Sequence, residues 1–260
     1  MPDILIACEA SGDARVAKGL AERVLHTKIA WFEDLAIEAR PVWGGFLQGT
    51  DFLRWASIKK IYKAVEDEKP TRVPAVLGRF RDGIPPKLEA VNALKVLRLA
   101  ELSSAFAVVL MRDVDAHSQS DLQTGLEHGK DEYLRTRISK ARKAVGVVIG
   151  TPDRYREAWL LAGFIPQNKT EQTRVDTELK TLAGIHPIQE PHRLRDAPNN
   201  PRCAKDIWGR LSDSSEAREM ACWSAPSLET LHQNGKDCGL SDFLHQVQTH
   251  LLPAVMLRQN

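Results

Sequence analysis

Residues 105–118 read AFAVVLMRDVDAHS: an unbroken apolar run from Ala105 to Met111, then Arg112, Asp113 and, two residues on, Asp115. A short, valine-containing run of this kind is what a strand buried on both faces of a parallel sheet requires. Side chains alternate along a strand, so Asp113 and Asp115 project to the same side. Carboxylates that close repel one another unless a cation sits between them. The stretch therefore points both to a fold class and to the chemistry to look for at its end.

The chain on either side repeats the theme. DILIACE, residues 3–9, is a second short apolar run, ending on Glu9 and followed by the glycine turn ASGD. From Asp13 to about Leu25 apolar residues recur at helical spacing (Val16, Ala17, Leu20, Ala21, Val24), with Ser11 or Asp13 available as cap. PPKLEAVNALKVLRLAELSS predicts a helix leading into the opening strand, and a loop and helix from about Gln119 to Arg142 follow it. AVGVVIGTP then reads as another buried strand, with the helix DRYREAWLLAGF directly after it. Helices alternating with short apolar strands predict an α/β domain over residues 1–165, a mainly parallel sheet flanked by helices with Rossmann-like topology. Ligands of such a sheet gather at the carboxyl ends of its strands. Within that span, residues 30–85 are broken by tryptophan, glycine and proline and read as an irregular, basic insertion with short helices. Residues 166–260 turn proline-rich and then into short helical patterns, which predicts a helical C-terminal region or subdomain.

With 260 residues, 43% hydrophobic and 27% charged, the chain has the composition of a globular protein. No apolar run approaches the roughly 20 residues of a membrane helix, and MPDILIACEASGD lacks the pattern of a signal peptide, so the expected location is cytoplasmic. Cys8, Cys203, Cys222 and Cys238 are scattered, which favours structural thiols over a zinc knuckle or redox pair. Charge is uneven: Arg54 to Arg98 holds eleven Lys or Arg against five Asp or Glu, and RTRISKARK at 135–143 holds five bases and no acid. Such clusters suit a polyanion such as nucleic acid, or else a solvated helix face.

The acids fall at strand ends: Glu9 after the first, Asp113 and Asp115 after the central one, Asp153 and Glu157 after the next. In a parallel sheet these ends share one rim, and Mg²⁺ or Mn²⁺, hard cations that take oxygen ligands, are the natural partners of such a cluster. Asp153 also suits a helix cap, and Glu157 lies one turn into a helix, where a carboxylate favours the dipole in any case. Arg79, Arg81 and Arg112 are candidates for phosphate contact, because a guanidinium fork matches phosphate oxygens.

Three segments taken together, ILIACEASGD, VVLMRDVD and REAWLLAGF, resemble the Toprim domain shared by topoisomerases, primases and certain nucleases. The last segment is similar to the Glu-Ala-Trp-Leu-Leu stretch of compact bacterial Toprim-like proteins, many of them found with phage-defence systems. The resemblance implies that Glu9 is a metal ligand or general acid/base, that Asp113 and Asp115 form the metal-binding pair, and that Glu157 supports the site. It implies a Mg²⁺-dependent phosphoryl-transfer enzyme, foremost a nuclease acting on DNA or RNA. A second reading stays open: a non-catalytic Toprim-like subunit that binds nucleic acid or protein and works with a separate ATPase, since the chain has no GxxxxGK[ST] loop of its own.

Overall fold

The computed structural model describes residues 1–32, 40–69, 79–114, 118–138, 143–195, 197, 200–213 and 215–258. Asp115 and His117 of the opening stretch lie outside the described residues. The α/β part runs β1 (Ile4–Cys8), α1 (Ser11–Lys28), β2 (Trp43–Gly44), β3 (Leu53–Arg54), α2 (Ile58–Glu68), α3 (Leu88–Ser103), β4 (Ala107–Met111), α4 (Gln119–Thr136), β5 (Gly146–Gly150) and α5 (Tyr155–Ala162). The predicted parallel sheet is present: its order is β2-β1-β4-β5, with β3 also pairing with β1, and every pairing is parallel.

All five residues of β1 and of β4 are buried, which is why both read as continuous apolar runs rather than as alternation. The pleat divides them between two cores. Ile4, Ile6, Cys8, Ala107, Val109 and Met111 meet the apolar stripe of α1, where Val16, Ala17, Leu20, Ala21 and Val24 are all buried as their spacing predicts. Leu5, Ala7, Val108 and Leu110 face the other way, against Ile58 of α2, Leu94 and Leu97 of α3, and Leu122 and Leu126 of α4.

The region read as an irregular insertion supplies two of the five strands. β2 and β3 are two residues each, too short for any period to show, and they pair with opposite ends of β1: Ile4 with Trp43 and Ala7 with Leu53. Of its tryptophans, Trp55 is buried, while Trp31 and Trp43 are partly buried against the α1-side core. From β1 the chain winds over one face through α1 to β2, and from β4 over the opposite face through α4 to β5. The winding direction thus reverses between β1 and β4, the position at which open α/β sheets form their binding crevice.

The C-terminal segment forms α6 (Lys169–Thr181), α7 (Ala204–Ser212), α8 (Glu216–Ser224), α9 (Leu228–Asn234), α10 (Leu240–Gln246) and α11 (Leu252–Arg258), with a π-helical stretch from Val247 to Leu251 between the last two. These helices share the α1-side core: Leu211, Cys222, Leu231, Phe243 and Val247 are buried in the same cluster as Ile6 and Val109. Two contacts show how closely they seat. A β-carbon on Gly163, just past α5, would stand 1.9 Å from the Cys222 carbonyl oxygen. The Gln246 side-chain oxygen accepts from the Ile149 amide at 2.8 Å, covering the outer edge of β5. All four cysteines are buried and free, as structural thiols should be. Burial pushes the Cys222 and Cys238 thiols up to about 12. Among the described residues no helix is long and apolar enough to cross a membrane.

Candidate functional site

A cleft of about 640 Å³ opens at the carboxyl ends of the strands, lined by Glu9, Ala10, Ser11, Gly12, Asp13, Arg15, Asp113, Tyr155, Arg156, Glu157, Cys203, Lys205 and Asp206. Three of the acids expected from the sequence, Glu9, Asp113 and Glu157, are therefore brought to one cavity, from the ends of β1 and β4 and from the first turn of α5. The lining holds five acids against three bases, so its field favours cations. Lys205 and Asp206, from α7, belong to the segment that the sequence assigns to a separate C-terminal region.

Strand register decides where the acids point. β1 and β4 are level at Ile4 and Ala107 and remain so to Ala7 and Leu110; two residues further, Glu9 stands beside Arg112. The two side chains form an ion pair, and the Arg112 guanidinium lies over the Trp55 ring, 5.9 Å from its centroid. Extended pairing continues past β4: the amides of Arg112 and Val114 donate to the carbonyls of Gly150 and Pro152 at 3.0 and 3.3 Å. By the same alternation Val114 enters the core beside α3 and α4, and Asp113 turns to the α1 side. Glu9 and Asp113 thus reach the cleft from opposite faces of the sheet.

A second group of charges surrounds Arg156. Its Nε lies 3.3 Å from Glu157 Oε1 and 3.9 Å from Asp13 Oδ1, and its Nη1 lies 3.5 Å from Glu219 Oε1. The three carboxylates come from α5, α1 and α8, and each residue is only 5–6% exposed. The other Asp13 oxygen accepts from the Ala10 amide at 2.9 Å, so Asp13 closes the first turn of α1. Burial, partly offset by the Ala10 amide and then by Arg156, holds the Asp13 carboxyl above its ordinary range. Arg15 takes the other oxygen of Glu219 at 3.1 Å and reaches exposed Glu216 at 3.0 Å. Gly12 makes room for this arrangement, since a β-carbon there would stand 1.2 Å from Arg156 Nη1.

The approach to α5 is strained. Arg154 and Tyr155 both have left-handed backbone, φ 64° and 67°, at a cost of about 1–2 kcal/mol for each non-glycine residue. Such strain persists where surrounding structure enforces it, characteristically beside functional sites. Asp153, expected as a helix cap, instead pairs with Arg154 at 3.5 Å and donates its amide to the Cys238 carbonyl. The Trp159 of the Glu-Ala-Trp-Leu-Leu segment is core: its indole donates to the same carbonyl at 2.8 Å and packs on Phe243.

Of the expected phosphate-contacting arginines, none lines the cleft. Arg112 stands at its edge, held by Glu9, whereas Arg79 and Arg81 are exposed beside the middle of α4, where the Arg81 amide donates to Glu132 and Phe80 packs on His128. Arg156, Arg15 and Glu219 carry no pattern in the sequence that marks them as site residues. Their available signals were the glycine inside the first turn of α1 and the arginine next to Glu157, neither of which names its partner.

Among the described residues no three Asp, Glu, His or Cys side chains gather as a metal would hold them. Two do line one cleft from neighbouring strands, Glu9 and Asp113. Two carboxylates match the number with which Mg²⁺ is held where waters and substrate phosphate complete its shell, and one of them, Glu9, is also met by Arg112. No protein-family model, curated protein or solved structure matches the chain.

Proposed function

We propose that the cleft is a divalent-cation-dependent phosphoryl-transfer site, and that the protein is a nuclease acting on DNA or RNA. The observation that carries this reading is the placement of Glu9 and Asp113 at the carboxyl ends of adjacent central strands, at the reversal point of the winding, in one acid-rich cleft. Glu9 and Asp113 are the residues to hold Mg²⁺ or Mn²⁺. When bound, such an ion supplies charge stabilisation at a phosphate and a water of lowered pKa. The first amides of α1, together with exposed Lys205, offer the phosphate a positive approach from the other side of the cleft. The Toprim resemblance of ILIACEASGD and VVLMRDVD supports the same assignment.

One observation favours a second reading. Arg112 already pairs with Glu9, as it would in a non-catalytic module that binds nucleic acid or protein beside a separate ATPase. Incubation of purified protein with plasmid, single-stranded DNA and RNA, with and without Mg²⁺ or Mn²⁺, separates the two. The nuclease reading expects metal-dependent cleavage that Asp113→Asn abolishes. Binding without cleavage in every metal condition, and equal metal affinity in the variant, would reject it.

A further inference from the structure

We infer that Arg156 is a built-in counter-cation standing where a second divalent ion would have to stand, so that the cleft takes one metal ion and Glu157 is not a ligand. The inference rests on the metal reading of Glu9 and Asp113 and deepens it. Three observations lead there. First, one oxygen from each of Asp13, Glu157 and Glu219 faces the same guanidinium at 3.3–3.9 Å, although the residues come from three helices. Each carboxylate is buried, and removal of such a group from water is costly unless a cation or hydrogen-bond donors meet it.

Second, the arrangement has the dimensions of a guanidinium rather than of a metal. Magnesium draws its oxygens to about 2.0–2.1 Å from one centre, whereas these oxygens are spread over two nitrogens of a planar fork. Among the described residues no acid cluster has metal geometry. Third, space for the guanidinium is provided by the backbone: Gly12 lies under Nη1, where any side chain would collide. Two of the three remaining oxygens are also committed, that of Asp13 to the Ala10 amide and that of Glu219 to Arg15. Arg156 therefore does for the α1–α5–α8 wall what a second ion does in a two-metal site, without exchange with solvent. It is a positioning residue, holding α1, α5 and α8 together on the α1 side of the cleft.

Mn²⁺ titration of the full chain, counting bound ions by calorimetry and by electron paramagnetic resonance, tests this. One ion per chain is expected. Glu157→Gln and Glu219→Gln, checked for folding by circular dichroism, should each keep that ion with less than a threefold change in Kd, while Glu9→Gln and Asp113→Asn weaken it more than tenfold. Two ions in the wild type, or a change of threefold or more in either Glu157→Gln or Glu219→Gln, would overturn the role of Arg156 and leave the metal reading of the cleft intact. No bound ion in the wild type would overturn both.

Discussion

Gly12→Ala offers the sharpest test of how the cleft wall is held. The added β-carbon would stand 1.2 Å from Arg156 Nη1, so the guanidinium must leave its seat. Arg156 is itself 24% exposed and can turn into water, which leaves the penalty with Asp13, Glu157 and Glu219, all 5–6% exposed. Removal of one partner from a buried ion pair costs about 3–5 kcal/mol. Alanine returns up to about 1 kcal/mol over glycine within a helix, so a net loss of about 2–4 kcal/mol is expected. Urea unfolding at pH 7 reads it directly, as a lower midpoint at unchanged slope. One control identifies the cause: the loss should vanish in an Arg156→Ala background, because the two substitutions remove the same contact. A loss below about 0.5 kcal/mol at pH 7, or full additivity with Arg156→Ala, would show that the guanidinium does not sit over Gly12.

Three further outcomes are expected. Burial raises the Asp13 carboxyl, so its contribution to stability is greatest below its unfolded value and is lost as pH rises through the folded one; Asp13→Asn should flatten the stability–pH slope just above pH 4, and an unchanged slope would contradict the shift. Gly163→Ala forces a methyl to 1.9 Å from the Cys222 carbonyl and should cost about 1–3 kcal/mol in thermal or urea unfolding by parting α5 from α8; a neutral result would show that this seam has slack. Burial lowers His186, whose Nδ1 accepts from the amides of Ile188 and Gln189 at 3.3 Å. Its contribution is thus present above the unfolded value and lost as pH falls through the folded one, and an NMR titration midpoint above about 6.5 would refute this.

Much of this molecule is legible in one dimension. The apolar runs at DILIACE and AFAVVLM and the helical stripe from Val16 to Val24 are local signals, since a strand buried on both faces or a helix buried on one must carry them whatever else the chain does. They determine the α/β class and, through the shared rim of a parallel sheet, that Glu9, Asp113 and Glu157 meet in one cleft. β2 and β3 escape because two residues carry no period; they are strands only because β1 offers an unpaired edge.

Tertiary structure alone decides what each acid faces. Register sets Arg112 beside Glu9, and the pleat sends Asp113 to the opposite side of the sheet. The partners of the Arg156 group come from positions as far apart as Asp13 and Glu219, joined because α1 and α8 pack on the same core. A hydrophobic pattern records that a residue is buried and on which face of its own element. Electrostatic partnership depends on distances between elements, which no local pattern contains; the sequence by itself specified carboxylates needing a cation, and packing determined that for Glu157 the cation is its neighbour Arg156.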